Sequence, residues 1–464
     1  MKTITNHPQT FRATYGPAKP VDREVIKKKI QEQLDLFNKV NANSGVEINK
    51  AKVSTPLGVH SSFQAFDPWP ISITSAKGAW MTNSDGRKML DLSMGFGAML
   101  VGHLNDDVMA ELKKALDVGT LFTSPSPISR DAAERLCKRF GIEQIRFTNS
   151  GTESTLYAIR TARAYTKKDG IVKIEGGYHG SGDSLMVSTK PPLDKIGSPE
   201  DPIPYVPATA IAGEVHVVPY NNAEALERVF QKHAATISCL IMEPVLENIG
   251  IVVPDEGYLE RVRELCNEYG IILIFDEVKT GLTAGPQGAA QRLGVLPDLI
   301  CLAKSIGGGV PLAAFGGKSE YMNAVSDGRM SHLGTFNGHI LGMAAVQVID
   351  RIATPEKLAE CESFNLQALN RIGEIIGEYE LPAHSVGFGV KGCTTWSSNP
   401  VRNYRDYKAT DFDLAELSFL WSLNHDIMPP PGLDEQWLIS FAHGQAEIDF
   451  QVEDFRNFAK YVRS

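Results

Sequence analysis

Residues 298–310 read DLICLAKSIGGGV, in which Lys304 closes an apolar run (Leu299 to Ala303) and three glycines follow shortly after it. The run has the pattern of a buried strand. A lysine at its end either marks the exit into solvent ahead of a glycine turn or sits in a dry pocket. There its amine gives up a proton more readily and becomes a nucleophile. The run IILIF (271–275) delivers Asp276 in the same way, and SCLIM (238–242) delivers Glu243. A buried carboxylate is costly unless a cation or hydrogen-bond donors satisfy it. Each of these acids therefore caps or pairs locally, or else serves a ligand.

The stretch TNSGTESTLYAIRTARAYTKKDG (148–170) supplies a helix start. Ser150 and Glu153 have capping-box spacing, and Gly170 is a suitable terminator. With Gly151 and Thr152 in the first turn, backbone amides and the hydroxyls of Ser150 and Thr152 could converge on one phosphate. A capping box alone says only that a helix begins. No Walker pattern is present and no GxGxxG follows a predicted strand, which disfavours nucleotides. Tyr178, in YHG after the strand IVKIEG, could stack on a flat ring or simply pack. A phosphate cradle, an aromatic ring, a buried aspartate and a strand-end lysine together suit pyridoxal 5′-phosphate. Lys304 would form the Schiff base and Asp276 would pair with the pyridinium nitrogen, keeping the ring an electron sink. The glycines would allow close approach of backbone and cofactor.

These residues need a scaffold that gathers strand ends. Ile26, Ile30, Leu34 and Phe37 predict an amphipathic helix over 22–40, and SDGR predicts a turn between two strands within 71–92. From 104 to 345, apolar runs at 171–174, 215–218, 237–242, 271–275 and 299–303 alternate with helical segments such as 221–231 and 257–269. That alternation indicates an α/β domain with a mostly parallel sheet covered on both faces, and such sheets bind ligands at the carboxyl ends of their strands. The expected organisation is an extension at 1–50, a first part of a small domain at 51–103, the large domain at 104–345 and the rest of the small domain at 346–464. Composition agrees with a soluble globular protein: 464 residues, 43% hydrophobic, 22% charged, net charge −9. The negative balance argues against nucleic-acid binding, and no run is long enough to span a bilayer. Cys137, Cys239, Cys266, Cys301, Cys361 and Cys393 form no CxxC pair and no Cys/His cluster. That pattern points to reduced thiols in a cytoplasmic protein and to no metal.

The segments GVHSSFQAF (58–66), NSGTES, EGGYHGSGDS, FDEVKTG, LAKSIGGGVPLAAFGG, LGTFNGH (333–339) and the tail from PVRNYRDYKATD to LISFAH resemble class III pyridoxal-phosphate aminotransferases of fold type I. The likeness is strongest to the glutamate-1-semialdehyde 2,1-aminomutase branch and its β-amino-acid transaminase relatives. The resemblance implies Lys304 as the cofactor lysine and proton shuttle, and Ser150, Gly151 and Thr152 at the phosphate. Tyr178 and Val278 would lie on the two ring faces, with Asp276 at the ring nitrogen. Thr335 would reach the phosphate of a neighbouring subunit in a homodimer. Two positions depart from the aminomutase pattern: Gln64 stands where that enzyme has a carboxylate-binding arginine, and Lys279 follows DEV. Lys279 is either a compensating cation or a solvated surface lysine, and Asp434 and Glu435 are expected to face solvent. The expected activity is transfer of an amino group between an amine or amino acid, β-amino acids included, and a keto acid or aldehyde. The alternatives are an intramolecular aminomutase and a non-catalytic cofactor-binding protein.

Overall fold

The computed structural model describes residues 2–4 and 11–464, with side chains from residue 16; the rest of the N-terminal extension lies outside the described residues. The chain forms two compact units. One comprises Met1–Asn105, Ala359–Pro400 and Ala409–Ser464; the other comprises Asp106–Leu358 and Val401–Lys408.

The second unit is built on a seven-stranded sheet. Its order is Gln144–Thr148, Ala313–Gly317, Leu299–Leu302, Ile272–Asp276, Ile237–Met242, Gly170–Ile174 and Val215–Val218. Ala313–Gly317 runs antiparallel to both neighbours, and every other pairing is parallel. The five strands expected from apolar runs are all present. Ile237–Met242, Ile272–Asp276 and Leu299–Leu302 are buried along their whole length, as the unbroken Val/Ile/Leu runs require when helices cover both faces. The strands 144–148 and 313–317 carry glycine, arginine and short apolar pairs, so their sequences gave no comparable signal. Helices Gly151–Thr166, Ala223–His233 and Tyr258–Tyr269 follow or precede the strands. The first packs Tyr157, Ala158, Ile159 and Ala162 against Ile171, Cys239, Ile274 and Phe315 in one core.

The first unit holds two smaller sheets. One has the strand order Ile427–Met428, Lys88–Asp91, Trp80–Asn83, Ile73–Lys77, with the SDGR turn joining its two middle strands. The other pairs Lys2–Ile4 and Phe11–Tyr15 with His384–Phe388, Lys391–Thr395 and Trp437–Leu438. The helix Arg23–Val40 is capped by Asp22, whose side chain accepts from the amides of Glu24 and Val25, and it buries Ile26 and Phe37, the latter against Phe66 and Trp69. Among the described residues no helix is long and apolar enough to cross a membrane.

Candidate active site

Because the strands ending at Thr148, Ile174, Met242, Asp276 and Leu302 all point the same way, their carboxyl ends share one edge of the sheet. Asp276 lies there, 4% exposed. Its Oδ2 accepts from His179 Nδ1 at 2.8 Å and its Oδ1 from the Val278 amide at 3.0 Å. With Nδ1–H given to Asp276, His179 Nε2 is buried and has no hydrogen-bond partner among the described residues; the same holds for Glu243 Oε1. Glu243 Oε2 accepts from the Glu247 amide at 2.9 Å, and burial pushes its carboxyl pKa up. Unpartnered buried polar atoms are rare, and two of them lie around one strand-end aspartate.

Lys173 is fully buried in the strand Gly170–Ile174. Its Nζ donates to the carbonyls of Gly177 (3.0 Å), Leu185 (2.7 Å) and Val187 (2.6 Å). Burial lowers its pKa to about 7, partly opposed by Glu243. Those carbonyls bracket Tyr178 and His179, so one ammonium anchors the loop that brings both to the sheet edge. Two residues on from Lys173, the buried Glu175 is held by Arg405 through Nε (3.0 Å) and Nη2 (2.8 Å). Arg405 also donates to the carbonyls of Gly197 and Ile196 at 2.7 and 3.1 Å. A two-point guanidinium clamp of this kind fixes orientation as well as charge.

The helix Gly151–Thr166 begins where expected. Ser150 Oγ accepts from the Glu153 amide at 3.3 Å. The Glu153 carboxylate reaches back to the Asn149 amide at 2.8 Å, one residue earlier than a standard capping box. The first-turn amides of Gly151 and Thr152 have no acceptor inside the helix. Gly151 permits close approach: a Cβ there would lie 3.1 Å from both methyls of Val278, which would have to shift. Thr152 Oγ1 accepts from the Ser181 amide at 3.2 Å, and Thr155 Oγ1 donates to the His179 carbonyl at 2.7 Å. Gly151, Thr152, Asp276, Val278 and the Tyr178–His179 loop are thereby tied into one cluster.

Lys304 is half-buried and follows the strand next to that of Asp276, whose register partner is Cys301. Its φ of 50° places a non-glycine residue in the left-handed region. Such backbone strain concentrates at functional sites. Thr335 is exposed, on a loop fixed by Tyr157, whose hydroxyl donates to the Leu333 carbonyl (2.7 Å), and by Asn149, whose side-chain amide donates to Asn337 (3.1 Å).

Two expected placements differ. Lys279 is not a surface lysine: it is 6% exposed and its Nζ donates to the Glu247 carbonyl at 2.6 Å, because the chain after Asp276 turns inward. Asp434 is buried rather than solvent-facing. Gln64 lies in the other unit, and its side-chain oxygen accepts from the amides of His60 and Ser61, each at 3.2 Å. His179, Lys173 and Arg405 went unassigned from sequence. The HG after Tyr178 was the available signal for His179; Lys173 is hidden inside an apolar strand.

The sequence model of the family Aminotransferase class-III matches residues 63–380. The chain is 34% identical over 433 residues to the glutamate-1-semialdehyde 2,1-aminomutase 2 of Halalkalibacterium halodurans, covering 90% of this chain and 98% of that protein. It is 37% identical over 405 residues to the glutamate-1-semialdehyde 2,1-aminomutase of Methanocorpusculum labreanum, covering 86% and 96%. Among solved structures it superposes on an omega-transaminase from Sphaerobacter thermophilus with a TM-score of 0.86 at 28% identity, covering 92% of this chain and 100% of that one. A β-phenylalanine aminotransferase from Variovorax paradoxus gives a TM-score of 0.84 at 28% identity, with 93% and 97% covered.

Proposed function

The chain belongs to the class III aminotransferases, and from that premise we propose that it is a pyridoxal-phosphate-dependent aminotransferase acting on an amine or amino acid, β-amino acids included. The observation that carries this reading is the meeting, at one sheet edge, of a helix start, the buried Asp276 and the strained Lys304. A helix start packed closely against Val278 through Gly151, next to a buried carboxylate, fits the cofactor. When bound, pyridoxal phosphate supplies an electron sink for a carbanion beside an amine.

The remaining work falls to the chain. Ser150, Gly151 and Thr152 would bind the phosphate at the helix N-terminus, where the macrodipole favours an anion. Asp276, oriented by His179 and the Val278 amide, would hold the proton at the ring nitrogen. Tyr178 and Val278 would bound the ring, and Lys304 would hold the carbonyl carbon and later move the proton at the substrate carbon bearing nitrogen. Gln64 offers a carboxamide already engaged in its own turn, a poor replacement for a bidentate guanidinium. The enzyme therefore does not hold a substrate carboxylate at position 64.

A homodimer completes the reading. Leu333 is 76% exposed and Phe336 60% exposed on a loop that is otherwise pinned, and Thr335 stands between them. Apolar side chains on a fixed loop suit a partner surface, and Thr335 would then serve the partner's phosphate site. In that case cofactor affinity and dimerisation are linked, and sedimentation at decreasing concentration should show cofactor released as monomers form.

The curated relatives favour a second reading, the intramolecular aminomutase, by their names. One experiment separates the two. The purified protein, reconstituted with pyridoxal phosphate, is given a panel of donors that includes glutamate-1-semialdehyde. Bleaching with free keto product supports transamination; isomerised product without keto acid supports the aminomutase. Absence of any cofactor absorption after reconstitution would overturn both.

A further inference from the structure

At the opposite, amino-terminal end of the sheet's edge strand lies a group of side chains that the reaction does not use. Glu214 precedes the strand Val215–Val218, His216 stands within it, and His233 is the last residue of the helix Ala223–His233. One ligand atom from each lies within 4.8 Å of the others. His216 Nε2 is 3.0 Å from Glu214 Oε1, and the rings of His216 and His233 are 4.2 Å apart, inclined at 31°. We propose that Glu214, His216 and His233 form a binding site for a divalent transition-metal ion of the zinc type, with water as fourth ligand. Two imidazoles and one carboxylate make the three-protein-ligand set that tetrahedral zinc accepts while leaving one position open.

Three features of the surroundings support it. The Glu214 carboxylate also accepts from the Thr236 hydroxyl, the kind of outer hydrogen bond that orients a ligating carboxylate. Thr236 itself is fixed by its amide, which donates to the His233 carbonyl at 3.0 Å. The carboxylate packs closely on Gly170, where a Cβ would lie 3.0 Å from Glu214 Cδ and the side chain would have to shift. Finally, His233 sits at a helix C-terminus, whose partial negative charge favours a cation.

All three side chains are half-buried, which leaves an entry path.

The test uses the full-length enzyme loaded with cofactor, stripped of metal with a chelator and dialysed against Zn²⁺. One zinc per chain is expected, held with a dissociation constant on the order of micromolar. His216→Gln and His233→Gln should each weaken it by at least about tenfold. Transaminase activity serves as the control for folding and should be unchanged in both variants. Should either variant fold poorly, Glu214→Gln and the visible bands of Co²⁺ bound to the unmodified protein read the same site, and four-coordinate cobalt bands lost on adding Zn²⁺ support it. Zinc stoichiometry unchanged in the variants, or no binding at 100-fold excess metal over protein, overturns the proposal.

Discussion

Two buried aspartates stand at opposite ends of the same pair of strands, and they are treated differently. Asp298, just before the strand Leu299–Leu302, is 2% exposed. Its Oδ2 accepts from Arg263 and from the Leu273 amide, both at 2.9 Å, and its Oδ1 accepts from Lys318 at 2.6 Å. Every lone pair that matters has a local donor, two of them cationic, so this acid is a fastener between strand, helix and loop. Asp276 accepts from one imidazole and one amide. The far nitrogen of that imidazole, and one oxygen of the neighbouring Glu243, end in nothing among the described residues. Both acids are buried and both have each oxygen hydrogen-bonded, but Asp298 meets two cations and an amide where Asp276 meets one imidazole and one amide. An acid whose surroundings are complete holds the fold, whereas one whose surroundings are left open is available to a ligand.

The comparison is broken most directly at the open end. Lys304→Ala should lower turnover by more than about 10⁴-fold, and Asp276→Asn by on the order of 10²-fold or more. Any fall in melting temperature should be smaller than for Asp298→Asn, because Asp276 has one imidazole and one amide as partners where Asp298 has two cations and an amide. Single-turnover rates alongside thermal melts check this; a Lys304→Ala enzyme retaining a tenth of its activity would remove that lysine from the reaction.

At the closed end the signs reverse. Asp298→Asn should cost about 2 kcal/mol, discounted because Lys318 is half-exposed, and the folded fraction should keep its kcat. Chemical denaturation and active-site titration separate the two effects. A large loss of kcat with unchanged stability would mean that Asp298, too, serves the reaction.

Lys173 sharpens the contrast, since it is a fastener placed under the open site. Its folded pKa, about 7, lies below the ordinary lysine value, so between those two the unfolded chain binds more protons than the folded one. Stability from this group therefore rises with pH above 7, by no more than about 1.4 kcal/mol per pH unit. The difference between wild type and Lys173→Met should widen in favour of wild type from pH 7 to pH 9 in denaturant titrations. A difference that stays constant would mean that the ammonium titrates normally.

The smallest effect is expected at Gln64. Its side chain closes its own turn, so Gln64→Ala should cost less than about 1 kcal/mol. KM for the best donor should hold within about twofold, and a tenfold rise would restore position 64 to the substrate pocket.

Much of this was readable in the sequence where signal and structure share a length scale. Asp276 and Lys304 end apolar runs, and Ser150 precedes a helical period; both patterns are local. Lys279 stayed open between a cation and a surface lysine because nothing adjacent to it reveals that its amine is buried against the Glu247 carbonyl. Asp434 failed for the same reason, as a polar, proline-rich stretch reads as surface whatever covers it. His179 meets Asp276 across 97 residues and Arg405 meets Glu175 across 230, separations over which periodicity carries no information. The metal-type cluster escaped a search for Cys/His spacing because strand and helix bring its members together in space only.

The clamp between Glu175 and Arg405 has a consequence for how the protein is made. Glu175 is wholly buried and is synthesised 230 residues before its counter-ion, which arrives on the short segment Val401–Lys408 that returns to the sheet-bearing unit. Until then the carboxylate has nothing to balance it, and an uncompensated buried charge is strongly destabilising. The nascent unit therefore has every strand of its sheet before it can close over Glu175, and waits through Ala359–Pro400 of unrelated chain. Closure of this unit over Glu175 thus requires that residue 405 has already left the ribosome, late in synthesis.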